Sequence, residues 1–169
     1  MKLVLIIIVV LVVSLVVLNQ FVTRSIKSEI SINESVDKVW NVFMDHKEYS
    51  NWNPFIRQIS GPMEVGKILS VTIGAEGNKP MDFTPIILVN ETNKEFRWVG
   101  KFGVKGVFDG EHYFFFEKTD SNQTKFTQGE NFTGLLSGIF MLTIREETEG
   151  GFNAMNKALK DRVENNYLR

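Results

Sequence analysis

From Leu3 to Leu18 the chain is one apolar run interrupted only by Ser14, and Phe21 and Val22 extend it past Asn19 and Gln20. Such a stretch of about 20 residues is long enough to span a bilayer. It lacks the polar stripe of a helix packed on a soluble core. A cleaved secretory signal would end in small residues, whereas the exit here reads Leu18-Asn19-Gln20-Phe21-Val22-Thr23-Arg24, and no alanine occurs before Ala75. The pattern predicts an uncleaved membrane anchor over 1–23 and a second unit over 24–169, a single-pass membrane protein. Lys2 flanks the anchor on one side and Arg24 and Lys27 on the other, so charge fixes no orientation and the side of the second unit is undetermined.

Beyond the anchor, Ile26, Ser28, Ile30 and Ile32 alternate with Lys27, Glu29 and Ser31, which predicts a half-buried strand. Asn33 or Ser35 can cap a short helix carrying Val36, Val39, Trp40 and Phe43 at helical spacing, with Asp37 in its first turn. A second helical turn over His46 to Trp52 ends at Asn53-Pro54. From Pro54 to Phe132 about six strands are expected, separated by turn signals at Ser60-Gly61-Pro62, Glu76-Gly77-Asn78, Glu91-Thr92-Asn93, Gly103 to Gly106 and Asp120-Ser121-Asn122. After Gly134 the helical period returns, with Phe152, Met155, Leu159 and Val163 on one face; Gly150-Gly151 is expected to loosen or begin this helix. The order predicts an α+β domain whose last amphipathic helix buries its stripe on an antiparallel sheet.

The faces of the strands carry the candidate chemistry. Phe108, Gly110, His112, Phe114 and Phe116 share one face, as do Phe126, Gln128, Glu130 and Phe132. If the two strands form a hairpin centred on Ser121, His112 lies opposite Glu130, Phe114 opposite Gln128 and Phe116 opposite Phe126, with Glu117 against Lys125 on the other face; a slip by two residues would keep the faces but change the partners. Met81, Phe83, Pro85, Ile87 and Val89 are expected on one face of a single strand, and Phe96, Trp98 and Gly100 on one face of another. Surfaces this aromatic are either filled core or pocket wall. Polar groups buried among them must find partners in each other, in water or in a ligand, because an unpaired one costs about 1–3 kcal/mol.

Composition narrows the function. With 19 Lys+Arg against 20 Asp+Glu, no net field gathers nucleic acid, and no nucleic-acid partner is expected. There is no cysteine, and the two histidines, His46 and His112, lie in different elements without metal-ligand spacing, so no metal site and no cofactor is expected. Gly100, Gly103, Gly106 and Gly110 fit no phosphate-binding spacing and read as turns and bulges. Ser137, outside any GxSxG motif, reads as part of a turn or a helix start rather than a nucleophile. Glu130 with His112 is the one arrangement suited to general acid/base work, against the simpler reading of a satisfied buried hydrogen bond; no catalytic residue is assigned.

Val39-Trp40 followed by Asp45, then Trp52-Asn53-Pro54-Phe55, Gly61, Gly66, the Met81 to Pro85 segment, Trp98-x-Gly100, Gly110-x-His112-x-Phe114, Glu130-x-Phe132-x-Gly134 and Met155-Asn156-x-x-Leu159-Lys160 occur in an order that resembles the SRPBCC superfamily, also called START-like or Bet v 1-like, and in particular its polyketide cyclase/dehydrase and lipid-transport branch. The resemblance runs from about Ile26 to Val163. It implies a helix-grip fold, a curved antiparallel sheet wrapped around a long C-terminal helix, with a deep apolar cavity opening near the two short helices. It implies hydrophobic-ligand binding, with cyclase or hydrolase chemistry in particular subfamilies. Two positions depart from the pattern: Glu34-Ser35 stands where a proline often precedes the first helix, and Gln128 where a histidine often accompanies Glu130, which removes one proton carrier.

The expected function is membrane-tethered binding or carrying of a lipid-like or polycyclic hydrophobic small molecule. The candidate ligand-binding residues are Trp52, Phe55, Phe83, Trp98, His112, Phe114, Gln128, Glu130, Phe132, Met155 and Leu159. The apolar stretch Leu135 to Leu142 is a candidate gate, against ordinary core packing. The alternatives are a cyclase- or hydratase-type enzyme using Glu130 and His112, or a ligand-free interaction module whose space under the last helix is filled.

Overall fold

In a computed structural model, residues 2–19, 22–74, 79–119 and 122–165 are described. The expected turn at Glu76-Gly77-Asn78 and the hairpin tip at Asp120-Ser121 lie outside these residues. The apolar run forms a helix, α1 (Lys2–Asn19), of 18 residues. It is long and apolar enough to cross a membrane, and its described side chains are almost all exposed. At 1.5 Å per residue it measures about 27 Å, close to the thickness of a bilayer's hydrocarbon core.

The chain then enters β1 (Arg24–Ile32), whose Ile26 and Ile32 are buried while Lys27, Glu29 and Ser31 face water. Ser35, not Asn33, caps α2 (Val36–Met44) by accepting a hydrogen bond from Lys38 N. Val39, Trp40, Val42 and Phe43 of α2 are buried. A 3₁₀ turn (His46–Glu48) leads into the short α3 (Tyr49–Trp52). Asn53 then turns the chain, its Oδ1 accepting from Phe55 N and Ile56 N at 3.0 and 2.9 Å. Seven strands follow among the described residues: β2 (Ile56–Ser60), β3 (Ser70–Ile73), β4 (Met81–Phe83), β5 (Ile86–Glu91), β6 (Glu95–Lys101), β7 (Asp109–Lys118) and β8 (Thr124–Thr133).

All pairings are antiparallel, but the strands divide into two sheets, a five-stranded one ordered β1-β8-β7-β6-β5 and a three-stranded one ordered β2-β3-β4. The expected single strand from Met81 to Val89 is therefore two strands in different sheets. Pro85 interrupts it: proline has no N–H for a ladder, and its carbonyl accepts instead from Leu69 N at 2.9 Å. An Ile68–Ile86 bridge joins the sheets at this corner. The register of β7 on β8 is as the sequence predicts: His112 opposes Glu130, Phe114 opposes Gln128, Phe116 opposes Phe126, and Glu117 opposes Lys125 with their charged groups 3.5 Å apart.

The last helix, α4 (Ser137–Glu164), runs 28 residues across the sheet along β1, burying Phe152, Met155, Leu159 and Val163. Gly150-Gly151 neither starts nor interrupts it. A β-carbon at Gly151 would collide with the ring of Phe55, so this glycine seats Phe55 against the helix backbone. The architecture is a helix-grip α+β domain carrying an exposed N-terminal helix.

Candidate ligand-binding site

The space beneath α4 has two different halves. Under its C-terminal half and the short helices, aromatic rings fill the interior. Phe43 of α2 lies 4.8 Å from Phe114 and 5.1 Å from Phe116 between ring centroids, and Trp40 sits edge-on to Phe116 at 5.0 Å. Tyr49 Oη donates to Phe43 O at 2.8 Å. His46 is held among Phe43, Tyr49 and Phe96, and burial lowers its pKa to about 4. Among the described residues none of α2 or α3 lines the apolar cavity beneath α4, and the hollow that Asp37, Lys38, Asn41 and Val42 of α2 border with Asp45 and Arg162 is a separate one lined mostly by polar and charged residues. The expectation that the apolar cavity opens near the short helices is therefore corrected: large side chains at helical spacing in α2 occupy that space.

Under the N-terminal half of α4 a cavity of about 230 Å³ is open. Its walls come from β3 and β4 (Val71, Ile73, Met81, Phe83), from the β6 end (Trp98, Gly100, Lys101), from Phe55, Phe102, Phe108 and Phe132, and from Phe140 and Ile144 of α4. These walls are mainly apolar. Gly100 and Gly110 face each other across β6 and β7. A β-carbon at Gly110 would collide with Glu130 Oε1, so the pair leaves the room in which the Glu130 side chain lies.

Glu130 is the acidic group set deep among these walls. It makes no hydrogen bond or ion pair among the described residues, and burial alone pushes its pKa up to about 8. The carboxyl is consequently protonated at neutral pH. Its side chain is half-buried rather than buried, because it borders the cavity. Glu147 and Lys101 are exposed at the cavity edge.

His112 takes a different part. It opposes Glu130 across the strands, yet its Nε2 lies 3.2 Å from Gln128 Oε1. Gln128 Nε2 in turn donates to Phe152 O and Asn156 Oδ1, both at 3.1 Å, and Asn156 Nδ2 donates to Ser28 Oγ at 2.9 Å. This chain of bonds ties β7 and β8 to α4 and β1. Burial lowers the His112 pKa to about 3, so the ring is neutral.

Of the residues expected from sequence to meet a ligand, Phe55, Phe83, Trp98, Glu130 and Phe132 lie on the cavity wall. Trp52, His112, Phe114, Gln128, Met155 and Leu159 do not; all but the half-buried Trp52 are buried in the filled half. The wall residues left out of the expected ligand-binding set are chiefly Phe102, Phe108, Ile144 and Phe140, the last lying within the candidate gate. Phe108 was visible in the β7 alternation, but the others sit in a loop and on a helix face where no strand period points inward. The candidate gate, Leu135 to Leu142, divides: Phe140 faces the cavity, Met141 is buried, and Ile139 and Leu142 are exposed.

A shallower hollow of about 570 Å³ lies on the outer face of the sheet among Lys27, Glu29, Arg97, Glu117 and Lys125. Its charges are largely paired with their neighbours, Lys125 to Glu29 at 3.1 Å and Arg97 to Glu111 at 2.6 Å. It is broad and open, and water competes there for each contact, so the smaller inner cavity is the better binding site. Among the described residues no three His, Asp or Glu side chains converge to hold a metal ion.

A family model described as polyketide cyclase / dehydrase and lipid transport matches residues 23–164. Among solved structures, norcoclaurine synthase from Thalictrum flavum, crystallised as a point mutant with a transition-state analogue, is similar with a TM-score of 0.65 at 18% identity, over 86% of this chain and 96% of that one. The Zhui aromatase/cyclase from Streptomyces sp. R1128 is similar with a TM-score of 0.66 at 13% identity, over 85% and 94%. Ara h 8.0201 aligns with a TM-score of 0.60 at 15% identity, over 85% and 99%. At these identities the likeness shows the fold. Among curated proteins there is no significant match.

Proposed function

Because the chain belongs to the polyketide cyclase/dehydrase and lipid transport family, we propose that it holds a compact hydrophobic molecule between α4 and the sheet, at a bilayer to which α1 tethers it. The observation that carries this reading is the inward carboxyl of Glu130 set into a mainly apolar wall, whose other charged residues, Lys101 and Glu147, are exposed at its edge. Apolar contact supplies affinity at about 25 cal/mol per Å² buried, and one inward polar group fixes orientation. A protonated carboxyl donates to a carbonyl, ester or hydroxyl oxygen of the ligand. The volume is below the roughly 300–1,000 Å³ of drug-sized sites, which suits a one- or two-ring compound, or an acyl chain whose remainder stays at the mouth.

Native mass spectrometry of the full chain, released from lipid nanodiscs after purification from its own host, tests this. A stoichiometric hydrophobic adduct on the natural protein, absent from a Gly110→Phe variant that fills the cavity, is the expected result. A bare mass for both, unchanged after incubation with oleate or a polycyclic aromatic probe, would sink the proposal.

One observation favours a second reading. An acid with a pKa near 8 is suited to proton transfer near neutral pH, so the cavity could house cyclase- or hydratase-type chemistry with Glu130 as proton donor. His112 is bonded to Gln128 and lies off the wall, which leaves Glu130 to act without it. Glu130→Gln separates the readings: it ends turnover while sparing binding if the protein is an enzyme, and changes only ligand affinity or orientation if it is a carrier.

A further inference from the structure

The end of α1 is latched to the start of α4. Asn19 Nδ2 donates to Leu135 O at 2.8 Å, while Arg24 donates to Asn19 Oδ1 at 2.6 Å and to Ser137 Oγ at 2.9 Å. A β-carbon at Gly138 would crowd both Arg24 and Asn19, so the glycine lets the latch lie close. The same start of α4 is zipped to the β6–β7 loop, Leu135 N donating to Gly106 O and Leu136 N to Val107 O.

These two segments expose large apolar side chains to an unusual degree: Phe102 53%, Val104 72%, Ile139 65% and Leu142 86%. Burial elsewhere does not explain them, since Met141, between Ile139 and Leu142, turns inward and is 5% exposed. Lys101 and Lys105 bracket the loop residues, and Arg145-Glu146-Glu147 begins the charged face of α4 where the apolar turn ends. Phe102 is both exposed and part of the cavity wall, and its ring centroid lies 6.0 Å from that of Phe140, another wall residue. The apolar patch therefore borders the mouth.

Distance identifies what covers the patch. From the latch at Ser137, Leu142 is five residues along the helix, a rise of about 7.5 Å along its axis. A bilayer's interfacial layer is itself about 5–7.5 Å deep on each side. With α1 filling the hydrocarbon core, the patch cannot lie far from the headgroups, whose phosphates suit the two lysines.

We propose that Phe102, Val104, Ile139 and Leu142 form a second membrane contact that seats the cavity mouth in the interfacial layer of the bilayer α1 spans, so that the ligand passes between lipid and cavity without crossing water. This rests on the reading of α1 as a membrane anchor. A second exposed apolar group, Val65, Ile68, Ile86 and Leu88, lies near β5, at the sheet edge opposite β1, and serves as a control.

The absence of cysteine permits clean single-site labelling of the full chain. Val104→Cys, Leu142→Cys, Ile68→Cys, Lys94→Cys and Val10→Cys variants, each carrying a nitroxide, are reconstituted in vesicles of phosphatidylcholine and phosphatidylglycerol at four to one. Collision with oxygen and with a water-soluble nickel complex is then compared. The expected result is an oxygen preference at 104 and 142 approaching that at 10, with 68 and 94 dominated by nickel. Water-like labels at 104 and 142 beside a lipid-like label at 10 overturn the second contact and leave the anchor standing; a water-like label at 10 overturns both. Loading of a vesicle-borne pyrene fatty acid should also slow at least fivefold in a Val104→Asp/Leu142→Asp double variant, and an unchanged rate overturns lateral entry.

Discussion

At the scale of the residue, Glu130 decides most. The period of β8 already showed it pointing inward, and its raised pKa adds a sign that can be measured. In the unfolded chain its carboxyl titrates near 4.5, in the folded protein near 8. Between those values the native state keeps a proton that the unfolded state has released, so the stability contribution is complete below pH 4.5 and is lost as pH rises through 8. Glu130→Gln should therefore match the natural protein near pH 4 and exceed it at pH 8 by about 1–3 kcal/mol, discounted for the open cavity. Urea melts at both pH values check this; equal stability at pH 8 would mean the carboxyl is solvated. His46 and His112 act in the opposite sense in both proteins, since their folded pKa values lie near 4 and 3 against 6.5. Their contribution is intact above pH 6.5 and is lost as pH falls toward those values. Gly110 is the second decisive residue. Gly110→Val should displace Glu130 and cut binding of a hydrophobic probe at least tenfold with the far-ultraviolet dichroism preserved; undiminished binding would place the ligand elsewhere. In sequence Gly110 read as a member of the β7 inward face and as a turn or bulge glycine, with no sign of its role beside Glu130, because the need for a missing β-carbon arises from a side chain on the adjacent strand.

At the scale of the element, strands and helices were legible wherever one period ran uninterrupted against one core. β7 and β8 were legible down to their register, since aromatic residues alternate along both and the Glu117–Lys125 pair fixes the other face. The break between β4 and β5 was hidden because alternation continues through Pro85 although the hydrogen bonding does not. The mouth was misplaced for a related reason: part of the wall is loop and helix residues such as Phe102 and Phe140, and hydrophobicity alone does not say whether facing rings meet or leave a gap. Adjacent glycines in α4 show how far packing overrides propensity. Gly150 has open space around its β-carbon position, so Gly150→Ala should stabilise by about 0.5–1 kcal/mol through helix propensity alone. Gly151→Ala gains the same propensity but drives a methyl into the buried Phe55 ring, an overpacking cost of about 1–3 kcal/mol. Thermal melts of the two variants should move in opposite directions, and a shared upward shift would mean that Phe55 can step aside.

At the scale of the whole molecule, the question is whether anchor and domain move as one body. Residues 20–23 alone separate α1 from β1, a reach of at most about 14 Å, so the linker keeps the domain near the end of α1, and near the bilayer if α1 is the proposed anchor, but would still allow it to swivel. Orientation depends on the latch of Asn19 and Arg24 on Leu135 and Ser137, contacts more than 100 residues apart in sequence, which is why the apolar run and its flanking charge disclosed a helix long and apolar enough to cross a membrane but not its docking on the domain. Each hydrogen bond contributes about 0.5–1.5 kcal/mol net, enough together to favour one orientation strongly while leaving the core of the domain independent of it. An Asn19→Ala/Arg24→Ala double variant should thus remain folded and in the membrane fraction, because neither the apolar run nor the sheet is altered. Hydrogen exchange in nanodiscs should accelerate at the start of α4 and in the zipped β6–β7 loop, and leave β7 and β8 as protected as before. If exchange at the start of α4 does not change, the latch contributes nothing to orientation and the domain already swivels. If protection falls throughout the sheet, the latch belongs to the folding core, and anchor and domain are a single cooperative unit.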